Sequence, residues 1–351
     1  MLSKPSWVLD TLVFLLLRAF APSRENIEMR FKTVTSPHAL SGNRTRRVMF
    51  NVMLALIPAI ITLTWFFGWG VLVNLAIATL TAWAAEALML HIRKRPVIGT
   101  LKDNSAMLSA WLLTLALPPL APWWLTVLGV AFAIIFAKQL YGGLGYNPFN
   151  PAMIGYVVLL ISFPLEMTQW LSPRVLNIPP DFAQTLQIIL FGNLPANGWD
   201  ALTGATPLDA MKTGLSLSKT VEEIQTAPLF AYFGGHGWLW VATMYLLGGL
   251  YLIYKRIISW HTPVSMLATL FVIAGIFYLI DPQTHASPLF HIFSGAALIG
   301  AFFIATDPVS SCTSNKGKLF YGAGIGLLTY IIRVWGGYPD GIAFAVLLMN
   351  M

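Results

Sequence analysis

Ten apolar runs of 13 to 21 residues lie between positions 48 and 351, and most ionisable side chains fall between them. They cover 48–67, 70–90, 104–120, 122–140, 150–165, 236–254, 263–280, 290–306, 319–334 and 339–351. About 20 apolar residues in a helix cross the hydrocarbon core of a bilayer. Charged residues make up 10% of the chain, against about 25% in soluble domains. An ordinary soluble enzyme is thereby excluded. The expected fold is an all-α integral membrane protein of about ten transmembrane helices. Pro and Gly punctuate several runs, so broken helices are expected where neighbours satisfy the freed backbone groups. The last run has 13 residues, roughly 20 Å of helix, and reads as a span that the sequence leaves unfinished.

Basic residues set the orientation. Eight precede the first run, and 17 of 21 fall on one side of the bilayer. The positive-inside rule makes that side cytoplasmic, with the N-terminus there. The net charge of +7 then reports topology, and no nucleic-acid partner is expected. Residues 166–235 form the sizeable outer piece, with three basic and six acidic residues. The chain divides into a cytoplasmic N-terminal segment (1–47), a first group of five spans (48–165), the outer segment (166–235) and a second group (236–351). Residues 6–20 are apolar but hold Asp10 and Arg18, which reads as an interfacial amphipathic helix. Met29 opens Met-Arg-Phe-Lys and is a candidate second start.

An internal repeat relates the two groups. Ser105–Pro119 and Ser294–Pro308 are similar at an offset of 189. Five spans separate the copies, so they must run in opposite directions. Two inverted five-helix repeats with broken helices are a transporter architecture, and taken alone this pattern would suit a plain transporter or channel.

The outer segment contains Asp200-Ala201-Leu202-Thr203-Gly204-Ala205-Thr206-Pro207-Leu208. Small neighbours leave the Thr206 hydroxyl approachable, and Pro207 biases Thr206 away from helix. Two readings are open on local chemistry: an acceptor for another enzyme, or a turn with a helix cap. The pattern Asp-x-x-Thr-Gly-Ala-Thr resembles a flavinylation motif of the form Asp-x-x-(Ser/Thr)-Gly-Ala-(Ser/Thr). Asn147-Pro148-Phe149-Asn150-Pro151, Thr306-Asp307-Pro308-Val309 and Gly336-Gly337-Tyr338-Pro339-Asp340-Gly341 point the same way. Together they resemble the RnfD/NqrB family, which spans the Rnf (Rsx) ion-translocating electron-transport complex and the sodium-pumping NADH:quinone reductase. The resemblance covers about residues 29–351.

It implies FMN joined by a phosphoester to Thr206, with Asp200, Thr203, Gly204, Ala205 and Pro207 completing the motif. It also implies a noncovalent riboflavin in the bundle near its cytoplasmic side. It further implies a bacterial inner-membrane location with residues 166–235 in the periplasm. The implied partners are the other Rnf proteins (RnfA, RnfB, RnfC, RnfE and RnfG), a flavin transferase and membrane lipid. Electron flow between NADH and ferredoxin pools would move Na⁺ or H⁺. The chain lacks the cysteines for an iron–sulfur cluster of its own, since Cys312 is the single one.

Ionisable residues inside spans are functional candidates by default. Glu86 lies in the second run, as a snorkelled acid or a cation-path carboxylate. Asp103 precedes Asn104-Ser105 and could simply cap a helix. Asp307 and Asp340 fall at helix breaks on opposite sides. Asn147 and Asn150 bracket Pro148-Phe149 and could bond a flavin, or form a polar turn. Lys138, ending the fourth run, is expected to snorkel. The six histidines make no paired metal-ligand spacing, and no metal is expected. The topology has a direct test: a cysteine introduced in 166–235 should react with an impermeant thiol reagent added outside the cell. Labelling only after the inner face is exposed would reverse the orientation.

Overall fold

The computed structural model describes residues 41–193, 198–199 and 202–351. The expected helix at 6–20, Met29 and Asp200 lie outside the described residues. Helices α1 (Ser41–Phe67) and α2 (Gly70–Ile92) come first. A short α3 (Ser105–Thr114) follows, then α4 (Trp123–Phe132), which continues as a π-helical stretch Ala133–Gln139, and α5 (Pro151–Ser162). The intervening segment holds α6 (Phe182–Phe191), α7 (Pro207–Ser216) and a hairpin of β1 (Phe230–Ala231) and β2 (Gly234–Gly235). Then come α8 (Trp238–Tyr254), α9 (His261–Ile280), α10 (Ala297–Ile299, continuing as π-helix Gly300–Ile304), α11 (Asn315–Trp335) and α12 (Ile342–Asn350).

Local chemistry explains the starts. Asn150 accepts bonds from the backbone of Ala152 and Met153 at the head of α5, with Pro151 in the first turn. Asp181 and Gln184 form a reciprocal capping box on α6. Ser314 caps α11 through Gly317 N–H.

Fewer elements than ten cross a membrane on their own length. Among the described residues, three helices are long and apolar enough: Thr45–Phe67, Gly70–Ile92 and His261–Ile280. Several runs are cut. The run 104–120 is helical only to Thr114, because Pro118 and Pro119 cannot continue the ladder. The polar side chain of Asn74 on α2 serves the exposed backbone instead, donating to Pro119 O at 3.1 Å and Ala121 O at 3.2 Å. Thr126 in turn donates to Asn74 Oδ1. The run 290–306 breaks at Ser294–Ala296, between a short helix Pro288–Phe293 and α10. Gly295 takes φ +65° there, a left-handed conformation that favours glycine.

Helices α9 and α11 cross closely. A Cβ at Gly322 would fall 2.5 Å from Thr262 O, and one at Gly326 inside contact with Met266 O. Small residues four apart let two backbones approach, which is a common membrane packing device. The loops between α2 and α3, α4 and α5, and after α10 meet at one end, here the basic end: Arg93 bonds Gln139, Arg95 bonds Gly142 O, and Asn150 bonds Ile304 O. The intervening segment meets the other end, where Arg174 N–H bonds Phe66 O and Val221 N–H bonds Gln283 O. Gly326→Val should lower the melting temperature of the purified protein, since overpacking costs about 1–3 kcal/mol. An unchanged melt would mean that the α9–α11 crossing relaxes freely.

Candidate functional site

At the basic end the start of α3 is held by side chains. Asn104 is left-handed at φ +63°, a conformation its short amide tolerates. Asp103 Oδ1 accepts from Ser105 N–H at 2.7 Å and from Ser105 Oγ at 2.6 Å. Lys138, from the π-helical turn of α4, donates to Ser105 Oγ at 2.7 Å and to Glu86 Oε1 at 2.6 Å. Gln139 donates to the same Glu86 oxygen at 2.9 Å. Glu86 and Lys138 are both fully buried, and Glu86 Oε2 has no partner among the described residues. Lys138 therefore does not snorkel. A buried carboxylate 52 positions away holds it in the interior, which a single-helix pattern does not reveal.

Beside this pair lies a cavity of about 100 Å³. Ser105, Lys138, Asn147, Asn150, Thr306 and Asp307 line its polar side; Phe302, Phe303, Ile257 and Ile258 line the apolar side. Three sequence candidates, Asn147, Asn150 and Asp307, thus meet in one place. Asn147 Nδ2 donates to Phe149 O, and Asp307 Oδ2 accepts from Ser310 N–H and Oγ. Glu86 and Asp103 stand one residue removed, behind Lys138 and Ser105. Both π-helical stretches contribute to the wall, and such bulges recur at functional sites.

Asp340 is at the opposite end. Its carboxylate accepts from Ala296 N–H at 2.7 Å, ahead of α10, and from Arg333 Nε at 3.1 Å. Arg333 is buried and also donates to His291 O and Ser294 O.

The motif around Thr206 is on the same end. Thr203 forms an antiparallel bridge with Leu171. A Cβ at Gly204 would stand 2.5 Å from Ser172 Oγ, so a larger residue here would have to turn that hydroxyl aside. Thr203 Oγ1 donates to Trp199 O. Ala205 is exposed. Thr206 is the N-cap of α7, its Oγ1 accepting from Asp209 N–H at 3.2 Å, and Pro207 is the first residue of the helix. Both local readings of the sequence thus concern one residue: Thr206 caps a helix and keeps its hydroxyl among small neighbours. Burial raises the Asp209 carboxyl above its ordinary range, with Lys212 opposing. Burial lowers Lys212, with Asp209 opposing. Sequence reasoning gave no role to Arg333 or Lys212: Lys212 binds backbone carbonyls that no side-chain motif marks, and Arg333 combines two such carbonyls with Asp340.

Known proteins resemble this chain over most of its length. Residues 32–351 match the NQR2, RnfD, RnfE family. Over 332 residues the chain is 54% identical to the D subunit of the ion-translocating oxidoreductase complex of Aliivibrio salmonicida, covering 92% of this chain and 95% of that one. The protein of the same description from Ectopseudomonas mendocina is 54% identical over 325 residues, 92% of each chain. That of Klebsiella pneumoniae is 50% identical over 333 residues, 92% and 95% of the two chains.

The buried pair makes a sharp prediction. Lys138→Met leaves Glu86 with only the neutral Gln139 amide, and removing one partner of a buried ion pair costs about 3–5 kcal/mol. Combining it with Glu86→Gln should recover much of that loss in a thermal melt. Additive losses would show that the two side chains do not depend on each other.

Proposed function

The chain belongs to the NQR2, RnfD, RnfE family, and from that premise we propose that it is a flavin-bearing membrane subunit of an Rnf-type ion-translocating oxidoreductase complex. Its two groups of helices are read as inverted repeats. With the π-helical continuations of α4 and α10 counted in, helices α1, α2 and α4 are longer than α3 and α5, and α8, α9 and α11 are longer than α10 and α12. Helix α3 starts at the basic end and α10 at the opposite end, the relation an inverted repeat requires.

The Thr206 cap carries the covalent FMN reading. A phosphoester on its hydroxyl would put an anion at the N-terminus of α7, where the free N–H groups and the helix dipole favour negative charge. Gly204 and Ala205 leave room for a modifying enzyme. In this reading Thr206 anchors the group, Thr203 and Gly204 hold the motif against Leu171 and Ser172, and Pro207 fixes the turn into the helix.

The cavity at the basic end supports a bound riboflavin. Two carboxamides, three hydroxyls, a carboxylate and an ammonium line the cavity with phenylalanine and isoleucine, which suits a flat aromatic ring with a polar edge. At about 100 Å³ the space takes part of such a ring, so its side chains must move apart on binding. Asn147 and Asn150 would bond the polar edge and Lys138 would supply positive charge beside it. Bound flavins would supply one- and two-electron carriage between partner proteins of the complex. The chain's own residues orient them, exclude water and offer Glu86, Asp103, Asp307 and Asp340 as candidate groups on a path for Na⁺ or H⁺. With the positive-inside rule, the basic end faces the cytoplasm and Thr206 faces the periplasm of a bacterial inner membrane.

Purified with its flavin transferase, the protein should fluoresce in a denaturing gel, and Thr206→Val should abolish the signal. A dark unmutated chain would remove the redox reading and leave a plain transporter; a bright Thr206→Val would move the attachment elsewhere. Replacing Asn147 and Asn150 with leucine should lower the noncovalent flavin recovered per chain about tenfold while the gel signal persists.

A further inference from the structure

The side of α7 away from its cap carries a contact that the proposed cofactor sites do not use. Lys212 Nζ donates to three backbone carbonyls, those of Arg333 (3.2 Å), Gly336 (2.5 Å) and Tyr338 (2.9 Å). An ammonium has three donors, and all three are matched. These carbonyls belong to the last turn of α11 and the turn after it. Helix carbonyls lack intrahelical partners there, and the dipole is negative. The turn runs directly into Asp340.

A second contact joins the same elements. At Gly295, the space a Cβ would take is bounded by Leu208 Cδ1, Asp340 Oδ2 and Arg333 Nη2. Leu208 and Lys212 are four residues apart, so they lie on one face of α7. That face touches the start of α10 through Leu208 and the end of α11 through Lys212. Elsewhere α7 is held by an apolar cluster of Leu208, Met211, Val221, Ile224, Phe230 and Phe290. This packing selects the buried face of α7, but apolar burial is not directional and sets the rotation of the helix less sharply than directional hydrogen bonds do. A ten-residue helix has little stability of its own to resist such motion.

We propose that Lys212 is a positioning residue: it locks the helix that begins at Thr206 onto the break that presents Asp340. The N-cap moves with its helix, so this lock fixes the direction of the Thr206 hydroxyl and of whatever it bears. It also ties that anchor to the carboxylate on Ala296 N–H. A rotation of α7 pulls on the Gly336–Tyr338 turn, and a displacement of Asp340 pulls on α7. The inference rests on Thr206 as a flavin anchor only for its consequence at the cofactor, not for the lock.

The test reads the lock without the flavin. In a Cys312→Ser background, spin labels go on Thr213→Cys, which is exposed, and Gly337→Cys, where a Cβ meets nothing. With Lys212 present the distance distribution should be narrow. Lys212→Met keeps the apolar stem and removes the donors, and should broaden it about twofold as the directional bonds are lost. Lys212→Arg restores donors and should narrow it again; Lys212→Gln serves the comparison if the methionine variant does not accumulate. An unchanged distribution in both the methionine and glutamine variants overturns the lock. In the flavinylated protein, Lys212→Met should keep the gel fluorescence yet raise iodide quenching about threefold, as a freed helix tip admits water. Unchanged quenching overturns the consequence at the cofactor, and a dark gel in the unmutated chain overturns the Thr206 reading while leaving the distance result standing.

Discussion

A helix that stops inside a hydrocarbon layer exposes backbone groups that water cannot reach, each costing several kcal/mol unless protein supplies a partner. Among the described residues, two helix starts, at Ser105 and at Ala297, are served in matching ways. At each, a carboxylate takes the freed N–H groups and a buried base from a neighbouring helix supports the turn. Asp103 bonds Ser105 N–H, and Lys138 bonds Ser105 Oγ. Asp340 bonds Ala296 N–H, and Arg333 bonds Ser294 O. Ser105 and Ser294 are the residues that head the two copies of the sequence repeat. Lys138 and Arg333, both buried, thus stand at these two helix starts.

How far this was legible in the sequence depended on the range of each interaction. Local signals were readable. Asp103 ahead of Asn104-Ser105 reads as a cap; Asn104 is the N-cap residue, and Asp103, one residue before it, accepts from Ser105 N–H. Pro118-Pro119 marks a helix end, although the helix stops earlier, at Thr114. Thr206-Pro207 reads as an accessible hydroxyl or as an N-cap, and the N-cap geometry is present. Asn147, Asn150 and Asp307 were candidates on local grounds, and one cavity gathers them. Long-range partners were not readable. The Glu86–Lys138 pair spans 52 positions and Asn74 serves carbonyls 45 and 47 positions on. Periodicity within one helix carries no information about what faces it across the bundle. The run at 290–306 looked continuous because Ser294, Gly295 and Ala296 are all compatible with a membrane helix; the break there depends on Asp340, 44 residues away.

The glycines complete this division of labour. Gly322 and Gly326 bring α11 against α9, so the second half has a close-packed pair of long helices to bear its break. In the first half, α2 meets the non-helical stretch at Pro119 through Gly70, where a Cβ would collide with Pro119 O. The same helix supplies Asn74 at one end and Glu86 at the other. One long helix therefore serves both ends of a shorter, interrupted neighbour, which is why α2 tolerates two buried polar residues in an otherwise apolar sequence.

The two breaks are held by bases of different chemistry, and each leaves buried polar atoms without a partner among the described residues, Ser294 Oγ and His291 Nδ1 beside Arg333 and Glu86 Oε2 beside Lys138. Arginine has five donors in a fixed planar fork. Arg333 spreads them over Asp340, His291 O and Ser294 O, binding three pieces of backbone and side chain into one rigid knot. Lysine has three donors on a flexible stem. Lys138 uses two on Glu86 and Ser105, and the cavity begins beside it. Glu86 keeps one oxygen without a partner among the described residues. Arg333 thus ties its break into a knot of backbone and side chain, while Lys138 is shared between an acid and a hydroxyl in the wall of a cavity.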